Sequence, residues 1–413
     1  MSFKLLSKAT LFLVVFSLLG TLNMRAAGHS LVVAYIDGDT LFSWQEGATT
    51  PRTIAKGNIA HPLLSPDTTQ IIFQQDKDLW IAALANTDKP AKTLVTADTL
   101  DVAPDKARFV LDAEWLDSKT VLFNTYHYHP NTLVQQVFAD DLWQVNTATG
   151  KVMRLLSDGS GGAFSISPDG KHIAVIRAGD YANNTPGSIT VVDSSGQNAQ
   201  KLLEFPVVNT GASYQFYPQP RWKTDSSGLF VAIPDPNLIY ATGDVPPTGL
   251  WKLDLSGAKT QVGAVKADFF GLPQFSPDGK YILYAQRIGA VKDNQIALFY
   301  ANSDGTGQQE IVRDAIGTLE PARWLPTSDA YTFIHGKPGE LWLANAADNS
   351  LQRFPNGSTL VFGLSWIDSA TYVYETSPGG TGEIRTGTYG AKSEAIVITK
   401  CSACGELDAR YRP

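Results

Sequence analysis

Histidine and tyrosine alternate in the stretch Tyr126-His127-Tyr128-His129-Pro130. In an extended segment His127 and His129 project to one side, and two imidazoles so placed suit a transition metal. A working site needs at least a third ligand. His61, His335 or a carboxylate would have to supply it, because His172 follows a turn that belongs to the other side of the repeat described below. The pair is an incomplete ligand set, so no metal and no other cofactor is expected. The only two cysteines stand in Cys401-Ser-Ala-Cys404. A disulfide is the first reading in an exported chain, free thiols the second. Redox activity is the third, because a thioredoxin-type site needs a helix after the motif and strand-like residues follow here. No Gly-x-Ser-x-Gly elbow occurs, and Ser-Asp-Gly-Ser-Gly-Gly at 157–162 reads as a turn. These residues point to a non-catalytic chain.

Bulk composition narrows the partners. The net charge is −7 over 413 residues, with no run of Lys or Arg. Nucleic acid, which favours a basic stripe, is therefore not expected. Residues 1–29 carry Lys4 and Lys8, then an apolar stretch, then Ala26, Ala27 and Gly28. That is the layout of a secretory signal peptide, with an uncleaved N-terminal anchor as the alternative. No Cys lies near the cut, which excludes a lipoprotein anchor. The mature protein is expected to be exported (periplasmic, cell-surface or secreted), to touch a membrane only if that segment stays on, and to be a monomer.

The elements that must position these residues repeat. "LLSPDTTQIIFQQ", "SISPDGKHIAVIR" and "QFSPDGKYILYAQ" share an apolar residue, a Ser-Pro-Asp turn and an alternating strand. Pro presets the second turn position, Asp bonds its own backbone and Gly takes the left-handed place that follows. Weaker copies share the frame. The apolar anchors before the turns are Leu64, Trp115, Ile166, Trp222, Phe275, Trp324 and Trp366, spaced 42 to 56 residues apart. Each period holds four short strands, the pattern of a propeller blade. The tail "ELDARYRP" matches "LEPARWLP" at 319–326, and Tyr411 falls 45 residues after Trp366. Residues 31–57 supply three strands with no first one. The tail is therefore expected to pair with the strand at 31–37 and complete an eighth blade. Seven blades is the alternative, with the tail loose. The expected fold is all-β: an eight-bladed propeller of four-stranded antiparallel blades over 30–413, closed by its C-terminal strand.

The Ser-Pro-Asp-Gly hairpins, with strands such as "DLWIAAL" and "GLWKLDL", resemble the TolB-like propellers, whose repeats are also called WD40-like or PD40. The full motif stands at Ser167–Gly170 and Ser276–Gly279, and Ser65-Pro66-Asp67 lacks the Gly. The resemblance implies fold rather than activity. TolB proteins carry a further α/β domain before the propeller, and prolyl peptidases a hydrolase domain. Neither is visible in this sequence.

Strand order divides the molecule into a short-turn face and a long-loop face. The long loops would present Tyr126, His127, Tyr128, His129, Tyr181, Tyr214, Phe216, Tyr217, Tyr240 and Phe269. Such aromatics either form a recognition surface or fold inward and pack their loops. Residues just before the anchors line the central channel and include Arg221, Arg323 and Arg410 against Glu114. They make a basic ring for a carboxylate, or else they pair with Glu114, Glu320 or carbonyls and hold the blades together. The expected function is recognition of an envelope protein or carbohydrate through the long-loop face. The competing expectation is a metal-assisted lyase or hydrolase built on His127 and His129.

Overall fold

The computed structural model describes residues 30–85, 89–100, 108–128, 136–212, 215–241, 245–289, 295–315, 319–327, 329–336, 339–354, 361–368, 370–376, 381–389, 394–402 and 404–412. The strands form eight antiparallel sheets. All seven sequence anchors end the innermost strand of a blade. Those strands are Ile59–Leu64, Arg108–Trp115, Ala163–Ile166, Arg221–Trp222, Gln274–Phe275, Leu319–Trp324 and Val361–Trp366, in blades 2 to 8.

Blade 1 is shared by the two chain ends. Leu31–Asp37, Thr40–Gln45 and Arg52–Lys56 are its outer three strands, and Cys404–Tyr411 is the innermost. The register runs from Leu31 opposite Tyr411 to Asp37 opposite Cys404. The expected closure is thus observed, and eight blades rather than seven. Side chains of the last strand also pin the neighbouring blade. Asp408 Oδ2 accepts from the Leu64 amide at 2.8 Å, and Glu406 accepts from the His61 amide. Tyr411 donates to Thr371 of blade 8 at 3.1 Å.

The ring holds because every blade is apolar on both faces. Side chains alternate across a strand. In Leu31–Asp37 the odd residues Leu31, Val33 and Tyr35 pack against blade 8. The even residues Val32, Ala34 and Ile36 pack against blade 2. Eight buried clusters result among the described residues, one between each neighbouring pair of blades. The Trp anchors add a directional link. Trp115, Trp222 and Trp324 donate from the indole to the carbonyls of Leu63, Ser165 and Gln274 on the preceding blade, at 3.0–3.1 Å. A buried indole N–H needs such a partner.

The Ser-Pro-Asp turns close by side-chain bonds. Ser167 Oγ donates to Asp169 at 2.7 Å and accepts from the His172 amide at 2.9 Å. Ser65 and Ser276 do the same in their blades. Gly170 and Gly279 take φ of +68° and +70°, as the turn requires. No helix among the described residues is long and apolar enough to cross a membrane.

Candidate functional site

The long-loop face is not uniformly aromatic. Tyr126 is buried against Phe109. Tyr217 turns inward, packs on Phe138 and donates to Asp140 at 3.2 Å. These two take the inward of the two expected arrangements, because the residues beside them offer apolar cover. Tyr128 is half-buried, with the Lys77 ammonium 4.0 Å above its ring. Phe216 and Phe269 are half-buried and 6.1 Å apart. Tyr181 and Tyr240 are exposed, at 76% and 59%. Phe270, which the sequence reading passed over for its neighbour, is 67% exposed. Tyr214 and His129 lie outside the described residues.

His127 is committed to an ion cluster rather than to a ligand set. Arg108 is buried, pairs with Asp141, and holds both oxygens of Asp158 at 3.0 and 2.7 Å. Burial works against the Arg108 charge, but the bonds to Asp158 and Asp141 outweigh it and push its pKa up. The same bond to Arg108 holds Asp158 below the usual carboxylate range. His127 Nε2 sits 3.5 Å from the Arg108 guanidinium and 3.8 Å from Asp158. A nitrogen facing a guanidinium is poorly placed to bind a second cation. His61 lies instead in the channel, paired with Glu406 at 3.1 Å. Among the described residues no three His, Cys, Asp or Glu gather as a metal site. Cys401 is buried and disulfide-bonded.

The channel is divided rather than basic. Toward blades 1 to 3, His61, Asp112, Glu114 and Glu406 line a cavity of about 570 Å3 that also reaches Arg323. Burial raises Asp112, and burial with the Asp112 charge raises Glu114, which Arg410 partly offsets. Arg410 itself lies 3.5 Å from Asp408. Sequence spacing alone placed Glu114 against the three arginines. It missed the other acids because the register shifts beside Asp112 in Arg108–Trp115 and beside Glu406 in Cys404–Tyr411, and strand alternation does not carry through such irregularities. His61 stands at a like irregularity in Ile59–Leu64, with φ +53°.

A second recess of about 570 Å3 opens in the wall of blades 5 to 7. Proline makes it. The innermost strand of blade 3 has eight residues, whereas those of blades 5 and 6 have two each. Pro218, Pro220 and Pro273 precede the short strands, and proline cannot donate to a ladder. Pairing in blade 5 therefore stops at Arg221 opposite Phe230, although the next strand runs on to Ile233. The peeled chain lines the recess with Phe216, Pro218, Pro220, Phe270 and Leu272, together with Arg221 and Arg323. Gly271 lets the chain pass close to blade 6, since a Cβ there would lie 2.4 Å from that of Ala285.

No protein-family model and no curated protein matches the sequence. Solved structures do resemble the fold. Prolyl oligopeptidase B from Galerina marginata is 13% identical, with a TM-score of 0.54 over 85% of this chain and 52% of that one. A eukaryotic initiation factor is 12% identical, with a TM-score of 0.50 over 93% and 98% of the two chains. TolB from Acinetobacter baumannii is 13% identical, with a TM-score of 0.39 over 92% and 66%. By fold this chain is an eight-bladed β-propeller. The propeller spans about two thirds of that TolB chain and half of the peptidase, and such identities speak to architecture alone.

Proposed function

We propose that this propeller is a non-catalytic recognition module of the cell envelope, exported across a membrane, that holds a protein or carbohydrate partner on its long-loop face. One observation carries the reading. Of the large apolar side chains exposed among the described residues, Val137, Phe138, Tyr181, Tyr240 and Phe270 all stand on the long-loop face of blades 3 to 6. The other three, Met153, Leu351 and Ile396, are scattered on outermost strands. Exposed apolar side chains gathered on one face mark contact surfaces, and rigid scaffolds carry function on their loops. The place of His127 beside Arg108 and Asp158 supports recognition over the metal-assisted alternative.

The test is site-specific photo-crosslinking in the envelope of the producing cell. A cross-linker replacing Tyr240 or Phe270 should give a discrete adduct, and one replacing Met153 or Leu351 should give none. Adducts of equal yield at all four positions, or none at any, would refute the surface.

A further inference from the structure

The recess in the wall of blades 5 to 7 differs in charge from the acid-lined cavity of blades 1 to 3. Among the described residues its lining contains no Asp or Glu, in a protein of net charge −7. Arg221 projects into it with no ion pair or hydrogen bond among the described residues. It is open to the channel yet crowded by protein, and that crowding alone pulls its guanidinium below the usual range. Arg323 is the second cation. Its Nη1 donates to the Leu364 carbonyl at 3.0 Å, which fixes the guanidinium without neutralising it. Around the two, Phe216, Phe270, Leu272 and Pro273 supply an apolar wall toward the long-loop face.

An exposed arginine that lines an open recess and has no counterion among the described residues is available to an external anion. A carboxylate matches the guanidinium fork. The apolar wall then selects what the carboxylate is attached to. We propose that the recess is a binding site for an amphipathic carboxylate, gripped by Arg221 and Arg323 with its apolar body against Phe216 and Phe270. The volume, about 570 Å3, lies within the range of small-ligand pockets, roughly 300–1,000 Å3. The same chemistry is offered by a free aromatic or aliphatic acid and by the C-terminus of a peptide ending in an apolar residue. This deepens the recognition reading and rests on it only for the long-loop face being the working one.

Calorimetric titration of the purified propeller decides it. The probes are 4-phenylbutyrate against 4-phenylbutyramide, and a short peptide ending in phenylalanine with a free against an amidated C-terminus. At least one free acid should bind about ten-fold or more tightly than its amide. Arg221→Gln should abolish that preference, Arg221→Lys should keep part of it, and Arg154→Gln on the outside of blade 3 should leave it intact. Binding of the small acid alone identifies a metabolite-type ligand, and binding of the peptide alone a chain terminus. Equal affinity for acid and amide, no binding of either acid, or an unchanged preference in a folded Arg221→Gln variant overturns the site. If that variant does not fold, the acid–amide comparison on the native protein still decides. Failed cross-linking with acid binding retained would remove the partner surface and leave the recess. Cross-linking without acid binding would do the reverse.

Discussion

The closing seam and the wall of blades 5 and 6 are built from the same repeat and end differently. At the seam an eight-residue innermost strand, Cys404–Tyr411, runs the depth of blade 1. Its Glu406 and Asp408 are used by amides and charges of the protein itself. In blades 5 and 6 the innermost strands shrink to two residues, and Arg221 has no counterion among the described residues. A full ladder thus consumes the polar groups that line a channel, and an interrupted one leaves them over. In this molecule the interruption is set by three prolines.

The largest effect expected from breaking the comparison lies at the seam. Deleting residues 405–413 removes the strand that ties blade 1 to blades 2 and 8. It exposes Val33, Ala34 and Tyr35, which are buried in the intact ring. Cooperative thermal unfolding should be lost or its midpoint lowered by more than about 10 °C, whereas an unchanged melt would show that the closure contributes nothing. The second effect is one of pH. Glu375, on the blade 8 strand Thr371–Thr376 beside Asp37 of blade 1, is almost fully buried. Burial first, and the Asp37 charge second, raise it from 4.5 to about 8. The folded state therefore holds this proton more tightly than the unfolded chain, and stability falls as pH rises from 4.5 to about 8. The melting temperature should drop between pH 5 and pH 8, and Glu375→Gln should flatten that slope. A variant that melts with the native pH dependence would remove Glu375 from the account.

The smallest effect sharpens the other side. Replacing both Pro218 and Pro220 with Val restores two donors and favours extension of the blade 5 ladder. Stability should change by no more than about 1 kcal/mol, while the preference for acid over amide should fall. Retained preference would mean that the prolines do not hold the recess open.

Much of the fold was legible because its signals are local. The Ser-Pro-Asp turn, the alternation that follows and the apolar anchor all fall within a dozen residues, and the period multiplies them. The tail was readable for the same reason, since "LDARYRP" repeats "EPARWLP". The candidate site was legible only in outline. Arg221 and Arg323 were placed on the channel by their position before an anchor, and Tyr181 and Tyr240 on the correct face by loop length. What sequence could not show was which charges meet. Arg108, Asp141 and Asp158 are brought together from three segments of blade 3, and a bulge decides that His61 faces Glu406. One signal was available and passed over. The spacing Pro218-x-Pro220 just before an anchor announces a missing ladder, and hence an opening.

Sharing one blade between both chain ends also sets which way the molecule faces. The Arg412 amide donates to the Ser30 carbonyl at 2.9 Å, and the Arg412 side chain reaches the blade 2 turn at Thr68. Both ends therefore emerge beside the short turns. A tether joined to Ser30, or a fusion joined to Arg412, would leave from the side opposite Tyr240 and Phe270. A propeller held to a surface by its N-terminus would stand with its loops and the mouth of its recess turned outward, as a dish is held by its base.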